Sequence, residues 1–151
     1  MTNEIIRANF YKKKNKLDVE EFNFLELDKK IKKIDSIKVI NLIMSYVDYR
    51  DSNKMLKYVS RNISIWKLCL LVVKNYVSLK KISEREIIEN INCSPMTANT
   101  YIKELIEIGI IYQESNPQDK RKKNILPTKA FLNEMAIFIE FLKKKINEVG
   151  I

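Results

Sequence analysis

Ser94-Pro95-Met96-Thr97-Ala98-Asn99-Thr100-Tyr101-Ile102-Lys103-Glu104-Leu105-Ile106-Glu107-Ile108-Gly109-Ile110-Ile111 decides how this chain reads. Serine is a residue that caps a helix, its hydroxyl accepting from an N–H with no partner inside the helix. Pro95 falls at the first helical position, where a missing N–H costs nothing. Ala98, Tyr101, Ile102, Leu105 and Ile106 recur at three- and four-residue steps, so one face turns inward. Gly109 ends the helix, and Ile110, Ile111 and Tyr112 read as a strand. Ser115-Asn116-Pro117 breaks that strand and Asn124-Ile125-Leu126 returns as a second one. Between them, Asp119-Lys120-Arg121-Lys122-Lys123 sets four positive charges in five residues at a hairpin tip.

Working outward, Ser83-Glu84-Arg85-Glu86 has the spacing of a capping box and opens a short helix to Ile91, with Ile87 and Ile88 inward. Asn92-Cys93 forms a tight turn before the Ser94 helix, which completes a helix-turn-helix. The hairpin that follows makes this a winged helix-turn-helix, mainly α with a small β wing. Upstream, Ser64 is expected to cap a helix from Ile65 to Tyr76, apolar on most sides and therefore buried. A broad stripe from Ile34 to Val47, with Ile37, Ile40, Met44, Val39, Ile43 and Tyr46, predicts a further helix. Asp51-Ser52-Asn53 then allows one bent helix or two, with Met55, Tyr58 and Val59 beyond it. Residues 1–17 carry Lys12-Lys13-Lys14 and Lys16 and read as an arm, either a solvated tail or a backbone contact. Asp18 and Glu21 have capping-box spacing before Phe22, Leu25 and Leu27.

At the far end Thr128 caps a helix from Lys129 to about Val149. Phe131, Met135, Phe138 and Leu142 lie on one line of it, and Leu132, Ile139 and Ile146 on the next. Ile137 and Phe141 widen the apolar surface beyond what one small wing domain covers, so the seven residues of the two lines are expected at an interface with a second copy. The organisation expected is an arm and helical dimerisation segment over 1–60, the winged domain over 61–127 and a dimerisation helix over 128–151.

Composition excludes several chemistries. Across 151 residues there is no histidine, so no His metal ligand, Ser-His dyad or imidazole base exists. Cys69 and Cys93 cannot build a structural zinc site, and two glycines cannot build a phosphate-cradling loop. No catalytic residue, metal or cofactor is therefore expected, and an enzyme is the least supported class. Cys93 beside a helix cap reads either as a redox switch or, more simply, as a small residue filling a turn. Cys69 reads as core. The longest apolar run, Leu68 to Val73, is far short of the roughly 20 residues of a membrane span, and no export signal is visible at Met1 to Arg7. The expected location is cytoplasmic, at the nucleoid. Twenty-eight basic against 19 acidic residues, net +9, favour a polyanionic partner.

Double-stranded DNA suits the pattern. Met96, Thr97, Asn99, Thr100 and Lys103 form the outward face near the amino end of the Ser94-Pro95 helix. Asparagine can bond adenine bidentately, threonine can meet a hydroxyl acceptor or a thymine methyl, and lysine reaches guanine or phosphate. Arg121 is expected in the minor groove or on phosphate, with Lys120, Lys122 and Lys123 on the backbone and Asp119 bonding N–H groups within the turn. The bland alternatives are a solvated helix face and a charged loop that keeps the protein soluble.

From Asn62 onward the element order resembles the MarR family of bacterial transcription regulators. The resemblance rests on the polar helix start, Leu105 with Gly109 four residues later, Asp119-Lys120-Arg121 in the wing, and Leu126-Pro127-Thr128 leading into the last helix. Asn124 stands where the family often has Arg or Lys, and Pro127 replaces an aliphatic or polar residue. The resemblance implies a homodimer with entwined terminal helices, two wings reading a near-palindromic operator, and a cavity for a small aromatic effector lined by Trp66, Tyr46 and Tyr58. Two other functions fit the same residues: a replication or plasmid-maintenance DNA-binding protein, and a winged-helix module for protein partners with no specific DNA contact.

Overall fold

The break at Asp51-Ser52-Asn53 separates two helices. In the computed structural model, which describes residues 34–150, α1 runs Ile34–Ser52 and α2 Lys54–Val59. The Asn53 side chain caps α2, its oxygen accepting from Leu56 N–H at 3.0 Å. The lysine-rich arm over 1–17 and the capping box at Asp18 and Glu21 lie outside the described residues. From Asn41 onward the chain packs as one compact unit.

Helix α3 spans Ile63–Val77 and starts earlier than expected. Asn62, not Ser64, is its cap: the Asn62 carboxamide oxygen accepts from Ser64 N–H at 2.8 Å and from Ile65 N–H at 3.4 Å. Ser64 is thus one of the donors being satisfied and cannot be the cap. Ile65, Leu68, Cys69, Val72 and Val73 are buried, whereas Leu70 is 39% exposed, so α3 has one solvent-facing edge.

The rest follows the expected order: β1 Ile82–Ser83, α4 Glu84–Asn90, α5 Pro95–Glu107, β2 Ile111–Ser115, β3 Lys123–Pro127 and α6 Lys129–Val149. Both halves of the Ser83/Glu86 capping box are present. Ser94 caps α5 through Thr97 N–H, and Thr128 caps α6 through Phe131 N–H. Gly109 takes the left-handed conformation (φ 81°) just past α5. Its N–H donates to Ile106 O and the next N–H to Leu105 O, closing the helix end. The sheet is antiparallel with order β1-β3-β2, Ser115 opposite Lys123 at the wing end and Ile82 opposite Ile125. β1 has only two residues, too few for alternation to announce it.

One apolar cluster joins Leu56 and Val59 of α2, the inner face of α3, Ile87, Ile102, Leu105, Ile111, Ile125 and the first half of α6. Phe131, Met135 and Phe138 are 0%, 3% and 4% exposed within it, which corrects their assignment to a subunit interface. A side chain that one chain already covers has no surface left for a second copy. Leu132 and Leu142 are half-buried, and of the seven only Ile139 and Ile146 are exposed, each 37%. The boundary expected at 127/128 is tightly stitched: Thr128 Oγ1 donates to Gly109 O at 2.7 Å and Thr128 N–H to Ile110 O at 3.0 Å. The stripe of α1 divides likewise. Tyr46 and Tyr49 pack on Phe138, while Ile43, Met44 and Val47 remain exposed.

Candidate nucleic-acid interface

Helix α5 is held from behind and presents its amino end. Ala98, Ile102 and Leu105 are buried, with Tyr101 and Ile106 packed at the core's margin. Ser94, Pro95, Met96, Thr100 and Lys103 are exposed and Thr97 and Asn99 half-buried, with Met96 reaching 80%. Two hydroxyls are already oriented: Ser94 Oγ donates to Thr97 Oγ1 at 2.9 Å and Thr100 Oγ1 to Met96 O at 3.0 Å. Each keeps acceptor capacity for an incoming donor.

The wing loop is built by its own backbone. The Asp119 carboxylate accepts from Arg121 N–H at 3.0 Å, and its carbonyl accepts from Lys122 N–H at 3.0 Å. Asn116 Oδ1 accepts from Gln118 N–H at 2.9 Å, and Asn116 N–H donates to Lys122 O at 3.1 Å. Asp119 therefore shapes the turn, as its place in the sequence led one to expect. Lys120, Arg121, Lys122 and Lys123 are exposed, and among the described residues none of them is in an ion pair.

A cleft of about 840 Å³ brings helix and wing together. Its walls include Asn99 of α5, Arg85 and Ile88 of α4, and Asp119, Arg121, Lys122 and Lys123 of the wing. Glu84, Glu86 and Glu89 also line it, but each is engaged. Glu84 accepts from Gln113 Nε2 at 3.2 Å, Glu86 accepts from Ser83 N–H at 2.8 Å, and Glu89 pairs with Arg85 at 3.0 Å. Only the last of these is an ion pair: Glu84 and Glu86 keep their charge, so with Glu89 and Asp119 the lining's four carboxylates balance its four cations, and three of those cations belong to the wing. An anionic strand entering it would meet those cations on one side and an amide able to bond a base edge on the other.

Asn124 explains one departure from the expected pattern. It is 4% exposed on the central strand, paired between Ser83 and Glu114, and among the described residues its Nδ2 has no partner. A lysine or arginine at this point would bury a charge.

A polar network escaped the sequence reading. Tyr58 Oη donates to Glu104 Oε1, and Arg61 Nη2 pairs with the same oxygen at 2.7 Å. The Arg61 guanidinium lies 3.9 Å from the Tyr58 ring centroid, and Asn62 Nδ2 donates to Tyr101 Oη at 3.2 Å. The Tyr58 bond, with Arg61 beside it, holds the Glu104 carboxyl below its ordinary range, although partial burial opposes this. Burial, then the Glu104 bond, pushes the Tyr58 phenol up. Arg61 and Glu104 are 43 positions apart, and no local pattern announces such a pair.

Tyr46 and Trp66 both pack on Phe138, at centroid distances of 5.6 and 6.3 Å, and Tyr58 belongs to the network just described. Burial raises the Cys69 thiol to about 12, as befits a core residue, and Cys93 packs half-buried at the helix turn. No helix among the described residues is long and apolar enough to cross a membrane.

Comparison with known proteins agrees with this architecture. Residues 77–123, from the end of α3 to the wing, match the model of the MarR family. The transcriptional regulator Tm0710 from Thermotoga maritima is 18% identical, with 76% of this chain and 79% of that one covered and a TM-score of 0.52. MepR of S. aureus, solved as a DNA complex, is 15% identical over 72% of this chain and 82% of its own, with a TM-score of 0.51. The transcriptional regulator SlyA is 26% identical over 74% and 76%, with a TM-score of 0.47. No curated protein matches the sequence. The fold is that of a MarR-like winged helix, and the resemblance read from Leu105, Gly109 and the wing falls inside or beside the matched segment.

Proposed function

We propose that this MarR-like chain is a sequence-specific DNA-binding transcription regulator that works as a homodimer on a near-palindromic operator. The observation that carries the reading is the shared cleft: Asn99 of α5 and the wing's Arg121, Lys122 and Lys123 line the same space. Helix α5 enters the major groove, where Asn99, Thr97, Thr100 and Lys103 meet base edges and Met96 a thymine methyl. The wing lies along the flanking backbone, with Arg121 in the minor groove or on phosphate. Pro95 carries no N–H and Ser94 takes those of Thr97 and Ala98, which leaves the Met96 N–H at the helix start to meet a phosphate. MepR, a structural neighbour, has been solved with DNA, which supports this use of the fold.

The homodimer draws support from apolar side chains the chain leaves uncovered: Ile43, Met44 and Val47 of α1, and Ile137, Ile139 and Ile146 of α6. A second copy burying these would hold two α5 helices at a fixed separation. The test is selection of fragments from sheared genomic DNA at near-physiological salt, followed by sequencing. Inverted half-sites about one helical turn apart are expected. Uniform recovery that disappears as salt rises would leave only the phosphate attraction and reject the reading.

A further inference from the structure

Short helix α2 is fastened at both ends to elements with different jobs. At its start, Asn53 Nδ2 donates to Glu134 Oε2 of α6 at 2.8 Å, while the same side chain's oxygen caps α2. At its end, Tyr58 and Arg61 grip Glu104 of α5, and Asn62 adds a bond to Tyr101 one turn earlier on that helix. Between the fastenings, Leu56 and Val59 are sunk in the core at 1% and 0% exposure, so α2 cannot roll without breaking apolar packing. Ser60, just past α2, is held by Arg50 of α1. Tyr58 and Tyr101 also pack at the edge of the apolar core, and the Asn53–Glu134 and Arg61–Glu104 contacts span 81 and 43 positions of sequence.

We infer that α2 is a strut that fixes the orientation of α5 relative to α6, with Asn53 and Tyr58 as positioning residues at its two ends. This rests on the DNA-reading proposal above. Glu104 lies on the helix that reads and Glu134 on the helix that carries exposed Ile137 and Ile139 toward a second copy. In a dimer, the strut therefore sets the angle at which each α5 meets its half-site. Loosening it tilts α5 without removing any group that touches DNA, so spacing discrimination suffers and phosphate attraction does not.

Two charge-neutral variants test this. Tyr58→Phe removes the hydroxyl and keeps the ring under Arg61; Asn53→Ser keeps a cap for α2 and removes the reach to Glu134. Spin labels on Thr100→Cys and Lys144→Cys, in a Cys93→Ser background with labelled chains diluted into unlabelled ones, report the α5–α6 distance within one chain. The parent should give one narrow distribution and either variant a broader or displaced one; distributions unchanged in both would overturn the strut. On selected operator DNA, each variant should bind about fivefold more weakly, the value of one missing hydrogen bond. Tolerance for altered half-site spacing should rise, with an unchanged salt slope. Equal losses at every spacing would reduce these residues to stability alone. If the parent shows no operator preference, the DNA-reading proposal fails, and the label distances still decide the strut.

Discussion

Replacing Leu79 with glycine should stabilise this protein, and replacing Gly109 with alanine should destabilise it, for one and the same backbone reason. Both residues sit just past a helix in the left-handed conformation, at φ 56° and 81°. Both close it with the same pair of bonds. After α3, Leu79 N–H donates to Tyr76 O at 3.0 Å and Lys80 N–H to Asn75 O at 2.9 Å. After α5, Gly109 N–H donates to Ile106 O at 3.1 Å and Ile110 N–H to Leu105 O at 2.9 Å. The chain thus has the residue suited to this turn at one helix end and an unsuited one at the other. A Cβ in this conformation costs about 1–2 kcal/mol. The Leu79 side chain is 95% exposed, so removing it forfeits almost no burial. Glycine returns about 0.5–1 kcal/mol through the freer unfolded chain. The net gain for Leu79→Gly is about 0.5–1 kcal/mol, or a Tm rise of about 1–4 °C for a chain of this size. A Cβ at Gly109 would meet nothing within 4 Å, so Gly109→Ala carries the backbone cost alone, about 1 kcal/mol of destabilisation. Urea unfolding followed by far-UV circular dichroism measures both, with equal m-values required for the comparison. Destabilisation by Leu79→Gly would refute the reasoning.

Replacing Arg121 and Lys122 together with alanine should weaken binding to all sequences and lower the salt slope by about 1 for each phosphate no longer neutralised; an unchanged slope means the wing does not touch the backbone. Phe131→Ala should cost about 3–5 kcal/mol of stability in urea, because a fully buried ring leaves a cavity at the junction of wing and α6. Ile139→Ser with Ile146→Ser should shift the protein toward monomer in sedimentation equilibrium with little effect on monomer stability, and a dimer that persists would move the interface elsewhere. For Glu104 the folded-state carboxyl is held below its unfolded value, so its contribution is complete above the usual carboxylate range and fades as pH falls through it. Glu104→Gln should flatten that part of the acid stability profile, and identical profiles would show that the Tyr58–Arg61–Glu104 network carries no charge-dependent stability.

What could be read from the sequence was what local rules write. The Ser83/Glu86 box, the Ser94-Pro95 start, the Gly109 stop and the Thr128 cap each satisfy an orphan backbone group within four residues, and each stands where expected. The Asn62 cap of α3 was hidden by Ser64, an equally good cap two residues on, and only the geometry of the first turn separates them. Helix α6 shows the other limit. Its apolar lines were visible, but periodicity does not say whether a line faces the chain's own core or a second copy, and the core claimed Phe131, Met135 and Phe138. The candidate site divides in the same way. The outward face of α5 and the basic wing tip were legible from spacing and charge, as was the role of Asp119 in its turn. The cleft that unites Asn99 with Arg121, the Arg61–Glu104 pair and the burial of Asn124 all depend on partners distant in sequence.

Base preference in the Asn99→Ala variant decides whether α5 reads bases. Binding of parent and variant would be measured across a library carrying every single base-pair change in the selected site, at one salt concentration. The variant is expected to lose discrimination at one adenine position in each half-site, by about 1–3 kcal/mol, while preferences elsewhere and the salt slope stay as they were. A preference profile identical to the parent's would contradict this, and would leave α5 outside the groove.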